Sequence, residues 1–148
     1  MMPLSTVRVL LDTNVVSELF RPVPHPGVIA FLREARRALL PVVVLHEFDY
    51  GVLRLPPGRK RDELAGFVGE ITNSFQARIL DLDPVRAREA ARIRAEAERG
   101  GRILRLADAL IAGTARAESL PLATRNVRDF ADLGIEVWNP WEDLSGVS

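Results

Sequence analysis

Short, nearly continuous apolar runs alternate along this chain with stretches whose apolar residues recur every three or four positions. Val7-Arg8-Val9-Leu10-Leu11 is β-prone and ends at Asp12-Thr13-Asn14, the pattern of a strand at the buried centre of a parallel sheet. The spacing predicts a helix over about 13–20, broken by Pro22, Pro24 and Pro26, and a second over roughly 27–37 with Val28, Phe31, Leu32 and Ala35 as its apolar stripe. A strand over 39–44 and a helix over about 45–54 follow, ended by Pro56-Pro57-Gly58. A polar-led helix over roughly 60–74 places Leu64, Phe67, Val68 and Ile71 on one face, and residues 78–82 read as a strand. Asp83-Pro84 reads as an N-cap followed by proline at the first helical position, opening a helix over 84–98 that Gly100-Gly101 stops. A helix over 104–118, strands over 120–123 and 135–138, and a loop over 124–133 complete the series. Strands alternating with helices predict a single α/β domain over residues 1–148, a parallel sheet with helices on both faces.

Three acids stand out against this pattern. Asp12 closes the first strand, where open α/β sheets bind ligands and where a buried charge is costly unless a cation or donor meets it. Glu47 follows Pro41-Val42-Val43-Val44-Leu45-His46 as that run turns helical, and Asp108 lies in Ile103–Ala112, a stretch apolar nearly all round. Taken singly, Asp12 could be a helix cap, Glu47 an exposed first-turn residue and Asp108 a partner of Arg105. Together the three favour one acidic site sharing a cation. Such a site suits Mg2+ or Mn2+, which take oxygen ligands and can activate a water for attack on a phosphodiester.

The segment Leu122–Phe130 opens at the same sheet edge. There Asn126 and Asp129 are candidate oxygen ligands, and Arg125 and Arg128 candidate phosphate contacts. With no cysteine, and with His25 and His46 far apart in sequence, zinc is disfavoured. His25, in a proline-rich turn, and His46 read as structural. No phosphate-binding glycine loop or serine nucleophile elbow is present. A formal net charge of zero argues neither for nor against nucleic acid. Lys60 is the sole lysine among 20 Lys and Arg residues, a bias that reflects base composition more readily than phosphate binding. No signal peptide or membrane-length apolar run is read, so the expected compartment is cytoplasmic.

These stretches, in their order, resemble the PIN-domain ribonucleases, specifically the VapC and FitB-like toxins of toxin–antitoxin pairs. The resemblance is carried by Leu11–Glu18 with Arg21-Pro22, by Glu47–Gly51, by Leu106–Ala115, by Ala123–Asn126 through Phe130, and by Asn139-Pro140-Trp141. It implies a PIN-like three-layer α/β/α fold with a central, mostly parallel sheet of four to five strands. It also implies a Mg2+-dependent (Mn2+ possible) endoribonuclease that forms a homodimer and is silenced by a cognate antitoxin. On that basis Asp12, Glu47, Asp108 and Asn126 are the expected catalytic residues and Asp12, Glu47, Asp108 and Asp129 the metal ligands. Thr13, Asn14, Thr124 and Arg125 are expected to bind RNA. The chain departs from the family in two places. Asn126 stands where many members carry Asp, and Pro41–Val44 offers no hydroxyl where members often have Ser or Thr.

Two other classes compete. A phosphoryl-accepting receiver domain needs a late lysine, and Lys60 lies mid-chain, so that reading loses. A catalytically weak PIN-like module binding RNA or a protein partner remains as the alternative. For the partner surfaces, Val52, Leu53 and Leu55 with Leu64, Phe67 and Ile71 form the expected antitoxin groove. The helix carrying Leu104–Ala115, or the neighbouring helix over 84–98, is the expected dimer surface.

Overall fold

The computed structural model describes residues 3–142 and residue 144. Its centre is a five-stranded, all-parallel sheet: β1 (Val9–Leu11), β2 (Ala38–Pro41), β3 (Ile79–Leu80), β4 (Leu122–Ala123) and β5 (Val137–Trp138), in the order β3-β2-β1-β4-β5. Six helices connect and cover it: α1 (Thr13–Ser17), α2 (Pro26–Glu34), α3 (Val42–Leu53), α4 (Arg59–Ser74), α5 (Pro84–Arg99) and α6 (Leu106–Ala117). The expected architecture is therefore present at the upper end of the expected strand number. Val9, Leu10 and Leu11 are wholly buried because β1 is paired on both edges and covered on both faces.

Several expected boundaries move, one of them at the site. The strand over 39–44 ends at Pro41, and Val42–Val44 form the first turn of α3. Beyond Pro41 the neighbouring strands have ended at Leu11 and Leu80, so Val42–Val44 have no ladder to join. Their backbone groups find partners in a helix instead, against the β-preference of three valines. Glu47 consequently sits in the second turn of its helix rather than in the first. The first strand also begins at Val9, since Leu4–Thr6 make a 3-10 turn.

α5 starts as the sequence predicts: the Asp83 carboxylate accepts from the Arg86 N–H at 2.8 Å, with Pro84 at the first helical position. α5 and α6 pack so closely that a Cβ on Gly113 would collide with the backbone of Ala90. This packing holds α6, which carries Asp108 in its first turn, against α5.

Candidate active site

The C-terminal tips of β1 and β4 lie side by side, since Leu11 pairs with Ala123. The residues that follow, Asp12 and Thr124, are both buried. Asp12 is the N-cap of α1, and its Oδ1 accepts from the Thr13 N–H at 2.8 Å. Its Oδ2 accepts from the Thr124 hydroxyl at 2.7 Å and more weakly from the Asn14 amide at 3.3 Å. Thr124 Oγ1 in turn accepts from the Asn126 N–H at 3.0 Å, and Asn14 Oδ1 from the Arg125 N–H at 3.1 Å. Thr13 donates its hydroxyl to Glu47 Oε1 at 2.6 Å. Thr13, Asn14 and Thr124, expected as RNA contacts, thus direct their polar groups at the acids and at one another. Arg125 offers its backbone to this lattice while its guanidinium lies over the Trp141 ring, 5.2 Å from the centroid.

Asp12, Glu47, Asp108 and Asn126 line one open cavity of about 210 Å³, together with Thr13, Asn14, Ser17 and Arg105. Asp108 reaches it from the first turn of α6. Asp129 does not line it; it lies in the 3-10 turn over Val127–Phe130. That turn is held by Arg102, whose guanidinium donates to the carbonyls of Ala131 and Asp129 at 2.6 Å each. Neither Arg102 nor Ser17 was marked by any sequence signal; each is recognisable only through the fold. Arg105 pairs with Glu47 at 3.6 Å rather than with Asp108, the partner its helical spacing suggests.

Burial and mutual repulsion set the electrostatics. Burial pushes the Asp12 carboxyl up, opposed by the hydrogen bonds from Thr124 and Thr13 and reinforced by Glu47. Burial, then the charge of Asp12, pushes Asp108 up to about 6; Arg105 opposes this, and Asp129 and Glu47 add to it. The site therefore carries more negative charge than its own cations neutralise.

Such a donor set fits a hard cation in chemistry: carboxylate and amide oxygens, with neither sulfur nor imidazole among the cavity-lining residues. The expected convergence of all three acids on one ion does not hold. Among the described residues no trio of acid or imidazole groups stands close enough to share a metal. Glu47 is held instead by Thr13 at one oxygen and more loosely by Arg105 at the other. Mg2+ commonly uses only one or two protein carboxylates and keeps several waters, so a cavity without a carboxylate trio is still compatible with that ion.

The histidines stay outside this chemistry. His25 caps α2, its Nδ1 accepting from the Gly27 N–H at 3.0 Å, and exposed His46 stacks on Tyr50.

A PIN domain matches residues 9–136. The chain is 37% identical to the toxin FitB of Neisseria gonorrhoeae, over 91% of this chain and 99% of that protein. It is 31% identical to the VapC ribonuclease Y4jK of Sinorhizobium fredii, over 90% and 98% respectively. In three dimensions it is similar to FitB-type chains in solved complexes. One is FitAB bound to an IR36 DNA fragment, with TM-score 0.83, 36% identity and coverage of 91% of this chain and 96% of that one. Another is FitAcB from Neisseria gonorrhoeae, with TM-score 0.82 and coverage of 91% and 99%. With an acid-lined cavity at the tips of β1 and β4 in a five-stranded parallel fold, and with these relatives spanning nearly its whole length, the chain belongs to the PIN-domain family, in the group of the VapC and FitB toxins.

Proposed function

We propose that this protein is a divalent-metal-dependent endoribonuclease, the toxin of a toxin–antitoxin pair, using Mg2+ or Mn2+. The observation that carries the reading is Asp108, raised to about 6 by burial and by Asp12 in a cavity that three acids line. An under-neutralised acid pocket open to solvent is built to gain from a cation. When bound, that cation supplies Lewis-acid polarisation of a phosphodiester and activation of a water.

Asp12 and Asp108 would hold the ion, with Asn126 as a third oxygen. Thr13 and Thr124 keep Glu47 and Asp12 fixed through hydrogen bonds of 2.6 and 2.7 Å. Glu47, held by Thr13 on one oxygen, would orient the attacking water and take up its proton at the other once Arg105 moves aside. Asp129 acts on the site through its charge on Asp108. Arg125, exposed at the rim beside Trp141, remains available to RNA.

The relatives' names carry the rest of the proposal: they include ribonucleases, a tRNA(fMet)-specific endonuclease of Shigella flexneri, and toxins solved with their antitoxins. An antitoxin helix would lie on α3 and α4, where Tyr50, Leu53 and Phe67 remain exposed while Val52 is buried. A homodimer would use the α5–α6 face, where Leu106 and Ala91 edge an open groove of about 340 Å³. The working compartment is the cytoplasm; among the described residues no helix is long and apolar enough to cross a membrane.

Purified protein free of antitoxin, incubated with total RNA with and without Mg2+, tests the activity. Cleavage that needs the metal and disappears in Asp108→Asn is the expected result. Cleavage persisting after metal stripping would exclude the mechanism.

A further inference from the structure

Among the described residues, Arg105 is the one cationic side chain that lines the acidic cavity. It is the residue before α6, and only its backbone serves the helix: its carbonyl accepts from the Ala109 N–H at 3.0 Å, and its side chain makes no capping bond. The guanidinium stands 3.6 Å from Glu47 Oε2, its side chain 74% exposed. Its field also lowers both Asp12 and Asp108. One exposed cation therefore faces all three acids.

The contact is loose. At 3.6 Å it is an ion pair without the short, bidentate geometry of a strong arginine–carboxylate bond, and exposed pairs of this kind hold weakly. The opposite oxygen of Glu47 is gripped by Thr13 at 2.6 Å. Glu47 is thus fixed from one side and exchangeable from the other. A divalent cation held by Asp12 and Asp108 would bring like charge into the cavity that Arg105 also lines and so weaken its hold on Glu47. The released guanidinium stays tethered at the rim, and its planar fork matches a phosphate.

We propose that Arg105 is an exchangeable counter-ion: it pairs with Glu47 while the site is metal-free and moves to an RNA phosphate when a divalent cation takes its place. This rests on the ribonuclease reading above.

The test uses the full chain free of antitoxin, as wild type, Arg105→Ala and Arg105→Lys, with thermal unfolding to establish that all three are folded. Calorimetric titration with Mg2+ in the absence of RNA reads the first half. Arg105→Ala binds Mg2+ about twofold to fivefold more tightly, the upper range that an exposed ion pair corresponds to, and Arg105→Lys stays near wild type. Cleavage at saturating Mg2+ reads the second half. The Ala variant raises KM for RNA several-fold with kcat changed by less than about twofold, and the salt slope of KM falls by about one phosphate contact. Unchanged or weaker Mg2+ binding by Arg105→Ala overturns the exchange, and so does an unchanged KM. A wild type that neither binds Mg2+ nor cleaves RNA overturns the ribonuclease reading as well. A wild type that does both, beside indistinguishable variants, overturns this inference alone.

Discussion

Asp12, Glu47 and Asp108 around the cavity, and Glu89, Glu96 and Glu118 beside α5 and α6, are two clusters of acids in opposite surroundings. In the second cluster each carboxylate meets a guanidinium. Arg116 donates to Glu89 at 2.6 Å, to Glu96 at 2.8 Å and to the Leu133 carbonyl at 3.1 Å, while Arg86 joins Glu118 to Asp81. The hydrogen bonds from Arg116 hold both Glu89 and Glu96 below the ordinary glutamate range. Around the cavity both shifted acids, Asp12 and Asp108, go the other way, through burial first. A cluster whose charges are matched within the chain acts as a fastener between helices. One whose charges are only partly matched, by Arg105 at Glu47, at a sheet edge open to solvent has the character of a functional site.

Removing a carboxylate from each cluster should separate the two roles. Asp108→Asn is expected to lower RNA cleavage by at least about 100-fold with no loss of thermal stability, because it relieves repulsion from Asp12. A variant that unfolds at lower temperature, or cleaves normally, would place Asp108 with the fasteners.

The fastened side depends on close packing as well as charge, so its largest sensitivity should be steric. Gly113→Ala forces a methyl into the Ala90 backbone of α5 and is expected to cost about 3 kcal/mol. Chemical denaturation measures this, and a neutral result would mean that α5 and α6 separate easily. Arg116→Ala, which leaves Glu89 and the Leu133 carbonyl without their donor, is expected to cost about 2 kcal/mol. Metal-dependent cleavage per folded molecule should stay unchanged in that variant, and a selective loss of activity would erase the distinction between the clusters.

The unmatched cluster was legible in the sequence where strand and acid adjoin. An apolar run ending in Asp12 announces a sheet-edge carboxylate, and Asp108 in a largely apolar stretch is conspicuous for the same reason. Glu47 is legible as a helical acid, but its helix begins three residues earlier than the pattern predicts, because three valines after Pro41 carry a strand's composition into a helix that begins where the sheet runs out of partners. The grip of Thr13 on Glu47 and of Arg102 on the 126–131 turn was not legible. Both join residues 25 or more positions apart, a distance local patterning does not span. Arg105 was visible only as a neighbour of Asp108, since helical spacing names sequence partners and only the packing of α3 on α6 brings in Glu47.

The pH dependence of stability tests the electrostatic contrast most directly. Asp108 titrates at 3.8 when unperturbed and at about 6 in the fold, so between these values the folded protein holds a proton that the unfolded chain has lost. The native state then binds more protons, and stability must fall as pH rises through that window. Glu89 and Glu96 have the reverse sign: their contribution is present above the unperturbed value of 4.5 and is lost as pH falls through their lowered folded values. Unfolding temperatures of wild type and Asp108→Asn, measured without divalent metal from about pH 4 to about pH 7, should diverge, the Asn variant gaining on wild type as pH rises and levelling off above about 6. Adding Mg2+ should raise the wild-type curve and leave the variant's nearly where it was, since a ligand stabilises only the form that binds it. Parallel curves across the window would mean that Asp108 is neutralised within the fold, as Glu89 is, and that the two clusters do not differ in kind.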